Sequence, residues 1–219
     1  MIRFFAGFAI VLVSISPAFA EGPIQLFNGK DLSHFYTFLR DRGKDTDPKK
    51  VFTVTDGMIR ISGEEWGCIT SKDEFTNYEL TVEFKWGDKT WGDREKAARD
   101  SGILIHSIGE DGAYSGVWMH GIEVQMIAEV TEGTPHVYKE GGKPHTINKG
   151  RIDWWGRDPG WTDTINFRGK QDVEKPHGEW NVVHVVAKGS TLRVELNGVL
   201  VNEALDVKPA RGRIQIQSE

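Results

Sequence analysis

The chain has 219 residues, and its 32 aspartates and glutamates outnumber 27 lysines and arginines, which gives a formal net charge of −5. A negative balance argues against a nucleic acid or an anionic membrane surface as the partner. Cys68 is the only cysteine, so a disulfide within the chain and a C-x-x-C zinc site are both excluded.

The first twenty residues have the parts of a secretory signal peptide. Arg3 precedes an apolar run over residues 4–13, and Ala18-Phe19-Ala20 ends the segment with small residues. The run is shorter than the ~20 apolar residues of a membrane-spanning helix, so no membrane span is expected. We expect cleavage near Ala20, a periplasmic or secreted location, and one domain over residues 21–219. The alternative is an ordinary buried N-terminal strand.

Short runs of alternating apolar and polar residues recur along the mature chain and predict an all-β sandwich of two antiparallel sheets. Asp56-Gly57 and Asn197-Gly198 each separate two such runs and predict tight hairpin turns. A helix of at most two turns is expected over Asp93–Arg99. Further strands are predicted over residues 78–86, 101–106, 116–127, 180–187 and 214–217.

Three segments do not show this simple alternation of apolar and polar residues. Residues 180–187 are apolar at both alternating sets of positions, so this strand is expected to be buried on both faces. Residues 35–50 are polar and give no strand pattern. Residues 132–175 are rich in Gly, Pro, His and Trp, and a connection of that length is usually functional. We interpret it as a wall over one face of the sandwich that carries Trp154, Trp155 and Trp161.

The strand around Glu123 carries the first candidate site. Ile122 and Val124 share one face of this strand, whereas Glu123 and Gln125 share the other. Two neighbouring polar groups inside an apolar strand require either solvent or a ligand. The pattern therefore predicts a binding or catalytic surface on this face.

Two other predicted strands carry comparable side chains, namely Glu83 with Lys85, and His106, which should share a face with Leu104. If these strands are neighbours of the one around Glu123, their polar residues form one patch on a concave sheet face. The alternative is ordinary cross-strand ion pairing on a solvated face.

The other histidines have weaker patterns. His120 follows Trp118-Met119 at the start of a strand and is either a substrate contact or a hydrogen-bonded structural residue. His184 alternates with valines and is expected to be buried. A metal site among the loop residues His136, His145 and His177 has no diagnostic spacing.

Several motifs occur in a fixed order along the mature chain and resemble the 3-keto-disaccharide hydrolase family. The resemblance covers nearly all of residues 21–219. The motifs are Leu26-Phe27-Asn28-Gly29-Lys30-Asp31-Leu32, Ser101-Gly102-Ile103, Gly121-Ile122-Glu123-Val124-Gln125, Lys175-Pro176-His177-Gly178-Glu179-Trp180-Asn181, Leu196-Asn197-Gly198 and Gly212-x-Ile214-x-Ile216-Gln217.

The resemblance implies a concanavalin A-like jelly-roll fold and an enzyme that cleaves glycosides already oxidised to a ketone at sugar carbon 3. The partner it implies is therefore a saccharide substrate. Three departures from the family stand out. Many members carry Arg at the position of His106, the segment after Ile127 differs, and relatives usually add a last strand after Glu219.

The residues also bear on the mechanism. Laminarinases of this fold carry E-x-D-x-x-E, whereas Gln125 and Ala128 stand at the second and third positions here. Hydrolysis by two carboxylates is therefore disfavoured on this strand. A 3-keto sugar needs a base, a group that stabilises an enolate, and at most one acid. Glu123 is the first candidate for the base and His106 the second.

Other groups would stabilise the enolate and bind the substrate. Lys85 or a bound divalent cation would stabilise the enolate, although the sequence requires no cofactor and identifies no metal ligands. Because fold does not determine function, a non-catalytic lectin-like module and a laminin G-like scaffold are the alternatives. The candidate substrate-binding residues are Glu83, Lys85, His120, Gln125, Trp154, Trp155 and Lys175.

Overall fold

The structure is a computed structural model that describes residues 8–17, 23–128, 145–148, 150–152 and 173–219. Strands dominate these residues. In chain order the strands are β1 (Phe8–Pro17), β2 (Ile24–Gln25), β3 (Phe35–Leu39), β4 (Gly43–Lys44), β5 (Phe52–Thr55), β6 (Met58–Ile61), β7 (Gly67–Ser71), β8 (Tyr78–Lys85), β9 (Arg99–Ile108), β10 (His120–Ala128), β11 (His145–Asn148), β12 (Gly150–Ile152), β13 (Asn181–Lys188), β14 (Thr191–Leu196), β15 (Val199–Lys208) and β16 (Arg213–Ser218).

The strands form two sheets. The first sheet has the order β11-β15-β14-β13-β8-β1-β6-β5, with β2 paired to β1, and the second has the order β12-β10-β9-β16-β7-β3-β4. Within the described residues, β10 pairs with β12 and β11 with β15 in parallel, and the other neighbours pair antiparallel. This architecture confirms the predicted all-β jelly-roll sandwich.

The core lies between the two sheets and is built from alternate residues of each strand. Leu80, Val82 and Phe84 of β8 are fully buried and belong to one cluster with Ile103 and Ile105 of β9. Burial of one such side chain contributes roughly 1.5–3 kcal/mol relative to exposure. The apolar residues therefore determine which face of each strand turns inward.

Both predicted hairpin turns are present. Asp56 and Gly57 have φ values of 52° and 78°, and Asn197 and Gly198 have 53° and 81°. Positive φ at both central residues is the geometry of a two-residue turn whose twist matches that of the flanking strands. The turns join β5 to β6 and β14 to β15.

The predicted short helix is also present, as a 3₁₀ helix over Gly92–Lys96. It lies between β8, in the first sheet, and β9, in the second. In the part of the chain that the structure describes, no helix has the length and apolar character needed to cross a membrane.

Two expectations about strands are wrong. Residues 35–39 form β3, which pairs with β7, because Phe35 and Leu39 pack in the core. Tyr36 and Phe38 fill the opposite face, so the apolar and polar alternation that marks a strand is missing. In contrast, β13 is fully buried on one face only: His184 is partly exposed, and its Nε2 lies 3.3 Å from Glu79 Oε2.

The N-terminal strand β1 lies inside the first sheet. It pairs with β8 from Ala9↔Lys85 to Pro17↔Tyr78, and with β6 through Ile10↔Ile59 and its neighbours. The same residues form the apolar part of the predicted signal peptide. Removal of residues 1–20 stays a prediction, and the alternative of an N-terminal strand matches the pairing in this structure.

Candidate active site

The candidate site lies on the face of the second sheet that points away from the core, called here the outer face. In β10, Ile122, Val124 and Met126 belong to the core cluster. Glu123 and Gln125 therefore occupy the outer face, as the alternation predicts. Gln125 is almost completely buried, whereas Glu123 is half-buried.

A glycine on the neighbouring strand lets two side chains meet on this face. Gly102 of β9 pairs with Gln125, and the pairing of Ile103 with Ile216 places Gln217 on the other side. A Cβ atom on Gly102 would lie 2.4 Å from Gln217 Oε1 and 2.9 Å from Glu123 Oε1. Without that atom, Gln217 Nε2 donates a hydrogen bond of 2.9 Å to Glu123 Oε1 above the backbone of Gly102.

Two further carboxyl groups belong to the same cluster. Asp100 of β9 accepts a hydrogen bond of 2.7 Å from Gln125 Nε2. It also accepts one from the guanidinium of Arg94, which lies 3.6 Å from Glu219 Oε2. The side chains of Asp100 and Glu219 are each 6% exposed. The short helix thus brings one cation to a group of three carboxyl side chains.

Two amide oxygens in the cluster have no donor among the described residues. Gln125 and Gln217 are 1% and 0% exposed, and the Oε1 atom of each is buried without a hydrogen-bond partner there. In both residues Nε2 donates to a carboxylate, which fixes the oxygen as the remaining acceptor. A buried acceptor of this kind takes its donor from an ordered water or a ligand.

A cleft of about 390 Å³ opens beside this cluster. Asp100, Gln217 and Glu219 line it, together with the indole of Trp86. This volume includes space that is open to solvent, so the feature is a surface cleft rather than an enclosed cavity. The cations on its wall are Lys89, Arg94 and Arg99.

The carboxyl group of Glu219 has a strongly shifted pKa. Burial raises its pKa, and the charges of Asp100 and Glu123 raise it further, while Arg94 opposes the change. The result is a pKa of about 9. The carboxyl group of Glu219 is therefore protonated at neutral pH and can donate a proton.

An aromatic group occupies another part of the outer face. The rings of Trp66 and Trp118 have centroids 5.8 Å apart, and Tyr114 lies 6.2 Å from Trp118. Trp118 packs with Cys68 and Leu104, which lie on the same face. The outer face thus carries an aromatic region, in which Tyr114 is exposed, as well as the polar cluster around Glu123.

His106 does not join the polar cluster. Its φ of 52° marks an irregularity at which the alternation of β9 breaks. Its ring centroid lies 5.6 Å from that of Tyr78, and its Nδ1 is 2.8 Å from Pro209 O. Burial lowers the pKa of His106. The expectation that His106 shares a face with Leu104 and Glu123 is corrected, because alternation holds only in a regular strand.

Glu83 and Lys85 belong to the first sheet, so the expected single patch does not form. Glu83 pairs with Val182 of β13, and Lys85 Nζ lies 5.3 Å from the ring of Trp180. The connection after β8 crosses to the second sheet, and β9 pairs there with β10 and β16. Strands β8 and β9 therefore follow one another in the sequence but do not pair, because they lie in different sheets.

The remaining predicted contacts are dispersed. His120 is half-buried, with its ring centroid 6.0 Å from that of Tyr114. Lys175 is exposed, and its backbone N–H donates to Asn181 Oδ1 at 2.8 Å before β13. Trp154 and Trp155 lie outside the described residues.

The sequence identified no set of metal ligands. Among the residues described, no three His, Cys, Asp or Glu side chains are arranged to hold a metal ion. His177 Nε2 lies 2.9 Å from Gly87 O, and His136 lies outside the described residues.

Four residues of the cluster were missed by the sequence analysis: Arg94, Asp100, Gln217 and Glu219. Gln217 follows the core residue Ile216 in the closing motif, and Glu219 lies two residues further on, so pairing that strand with residues 101–106 would have pointed to both. Arg94 has no comparable signal, because its position depends on the path of the short helix between the two sheets.

One solved structure supports the fold, and a second is similar over most of its length. A protein from Parabacteroides distasonis, provisionally named a glycosyl hydrolase, is 20% identical with a TM-score of 0.54, over 89% of this chain and 86% of its own. A second protein from that organism with the same provisional name is 20% identical with a TM-score of 0.49, over 94% and 91%. No curated protein matches the chain.

The family is shown by a sequence model. The model described as the 3-keto-alpha-glucoside-1,2-lyase-like domain matches residues 22–219. The match spans the strands that carry Asp100, Glu123 and Gln217, and it begins after the predicted signal peptide. The chain belongs to the family of 3-keto-alpha-glucoside-1,2-lyase-like domains.

Proposed function

We propose that the protein is an enzyme that cleaves glycosides whose sugar carbon 3 is a ketone, and that Glu123 is the catalytic base. The observation that carries the proposal is the position of Glu123. Its half-buried carboxylate is held over Gly102 by one amide hydrogen bond of 2.9 Å from Gln217. A base held in one orientation by a neighbouring amide is suited to proton abstraction.

The proposed reaction begins as an elimination. The ketone at carbon 3 makes the hydrogen on carbon 2 acidic, and Glu123 takes it as a proton. The electron pair of that bond passes into an enolate, whose oxygen is the former ketone oxygen. The enolate then restores the ketone, forms a double bond between carbons 1 and 2, and expels the group on carbon 1. Addition of water to this enone completes hydrolysis.

The surroundings of Glu123 suit a sugar. Gln125 and Gln217 each have a buried amide oxygen that can accept from a hydroxyl. Negative charge on the enolate oxygen can be stabilised by a cation in the cleft, and Arg94 and Arg99 line it. Lys85, which the sequence suggested for this role, lies in the first sheet, so Arg94 and Arg99 take its place.

Direct hydrolysis of an unoxidised glycoside is the second candidate. It needs two carboxyl groups on opposite sides of the glycosidic bond, one of them protonated. Glu123 and Glu219 are the two carboxyl groups that could serve in it, because Glu219 holds its proton at neutral pH. The description of the family favours the keto substrate, whereas this pair of carboxyl groups suits either reaction.

A comparison of matched substrates tests the proposal. The purified protein is incubated with nitrophenyl 3-keto-glucosides and with the corresponding unoxidised glucosides, each with and without a chelator. We expect release of nitrophenolate from the keto compounds alone, and exchange of the carbon 2 hydrogen in deuterated water. Release from unoxidised glucosides would support direct hydrolysis, and saccharide binding without release would support a lectin-like module. Loss of activity with chelator would identify a divalent cation.

We also propose export through the signal peptide at residues 1–20. Arg3, the apolar run and Ala18-Phe19-Ala20 support it, and the family match begins at residue 22. N-terminal sequencing of protein from the periplasm or medium of the native host should begin at or near Glu21. Recovery of the intact N-terminus from those compartments would contradict cleavage and favour the retained strand β1.

A further inference from the structure

We propose that Glu219 is a second catalytic residue, the acid that protonates the leaving group on carbon 1. The inference rests on the proposed function, because it assigns the second proton of that reaction. Glu219 lines the cleft with Asp100 and Gln217. Its side chain is 6% exposed, so a group in the cleft would meet it without intervening bulk water.

The setting of Glu219 keeps its carboxyl group protonated before the reaction. The charged groups around it are Asp100 from β9, Glu123 from β10 and Arg94 from the short helix. Two carboxylates and burial disfavour a third negative charge, and a single guanidinium, already bonded to Asp100, offsets this only in part. Two carboxyl groups in one cluster thus differ in role: Glu123 accepts a proton and Glu219 donates one.

A ligand at this position is supported independently of the acids. Gln217 is fully buried, and its Oε1 has no donor among the described residues, although its Nε2 is bonded to Glu123. Gln217 lines the same cleft as Glu219. An acceptor buried in this way is satisfied when a hydroxyl of a bound sugar donates to it.

The two residues complete a balanced cycle. In the elimination, Glu123 takes the proton from carbon 2, and Glu219 gives its proton to the oxygen that leaves carbon 1. In the hydration, the oxygen of a water molecule bonds to carbon 1, and the same water molecule gives a proton to the carboxylate of Glu219. Glu123 returns its proton to carbon 2. Both residues finish in their starting states, and no oxidant, reductant or further reactant is needed.

The test uses the dependence on the leaving group. Glu219→Gln keeps the shape of the side chain and removes the proton donor. We expect it to lose on the order of 10²–10⁴ in turnover on 3-keto-glucosides with an alkyl or sugar leaving group. Nitrophenyl 3-keto-glucosides should keep most of their turnover, because nitrophenolate leaves without a proton. Exchange of the carbon 2 hydrogen should continue, since Glu123 is intact.

Other measurements separate an acid from a structural residue. Turnover of the alkyl substrate by the wild-type protein should fall at alkaline pH, and this limb should vanish in Glu219→Gln. Glu219→Asp, which keeps a carboxyl group, should recover part of the lost turnover. Equal losses on both leaving groups, or no loss on either, would overturn the proposal. If the wild-type protein neither cleaves keto-glucosides nor exchanges the hydrogen, the proposed function fails instead.

Discussion

Two strands carry the same short pattern and place it in different surroundings. Glu83 and Lys85 on β8, like Glu123 and Gln125 on β10, are polar residues two apart in an apolar strand. The first pair lies in the first sheet with β13 and β1 as neighbours. The second pair lies in the second sheet, where it is hydrogen-bonded to Asp100 and Gln217.

The difference lies in what the neighbouring strands present. Beside Glu123, β9 has a glycine, Gly102, which leaves room for Gln217 to reach across from β16. Beside Glu83, β13 presents Val182. A polar pair joins a larger polar cluster when the next strand supplies space and complementary groups, and the sequence of a single strand does not show this.

The largest expected effect comes from removing the base. Glu123→Gln should lose on the order of 10²–10⁴ in turnover on 3-keto-glucosides, the usual contribution of a general base. Exchange of the carbon 2 hydrogen should be lost with it. Both are measured at saturating substrate in deuterated and ordinary water.

Glu83→Gln is the matched control, because it makes the same chemical change in the first sheet. It should leave turnover and exchange close to those of the wild-type protein. Equal losses in the two variants would contradict the distinction between the two strands.

A smaller loss is expected from filling the space over Gly102. In Gly102→Ala, the new Cβ would come within 3 Å of Gln217 Oε1 and Glu123 Oε1, which are the ends of movable side chains. The protein should still fold, but displacement of the base by about 1 Å can cost about 10² in rate. Turnover and the melting temperature are measured together.

Gly67→Ala provides the contrast to that variant. A Cβ at Gly67 would lie 2.3 Å from the backbone oxygen of Phe38, which cannot move without distorting β3. We therefore expect a large fall in melting temperature for Gly67→Ala and a small one for Gly102→Ala. The reverse order would mean that Gly102 serves the fold rather than the site.

The buried acid should also appear in the pH dependence of stability. Folding raises the pKa of Glu219 from 4.5 to about 9, so the folded state binds a proton that the unfolded state releases. This contribution is complete below pH 4.5 and is lost as the pH rises towards 9. Urea unfolding at several pH values should show the decline, and Glu219→Gln should reduce its slope.

The smallest effect is expected in the aromatic region of the outer face. Burial raises the pKa of the Cys68 thiol to about 12, and the residue is fully buried. Thiol reagents should leave the folded protein unmodified at neutral pH and react after denaturation. Rapid labelling of the folded protein would show that this region opens to solvent like the cleft.

Much of the fold follows from local chemistry. Asp56-Gly57 and Asn197-Gly198 predicted their hairpins correctly, because both central residues must adopt positive φ. The alternation around Glu123 also gave the correct face. Which strands pair was not predictable in this way, since pairing depends on how the connection between β8 and β9 crosses between the sheets.

The site shows the same limits. The outward face of Glu123 and Gln125 was predicted correctly because each sits in a regular strand. His106 was misplaced because its φ of 52° breaks the alternation, and no residue pattern signalled that break. The raised pKa of Glu219 depends on burial and on three neighbours from three different elements, so the sequence alone could not indicate it.

If residues 1–20 are removed as proposed, the position of β1 has a consequence for folding. Residues 8–17 bridge β8 and β6, and residues 1–20 are also the proposed signal peptide. A chain that loses them has two facing strand edges roughly 10 Å apart, twice the usual spacing between strands. Unpaired edges of this kind accept an added strand through main-chain hydrogen bonds on both sides. Processing would therefore turn an internal strand into a vacancy that another extended segment can fill.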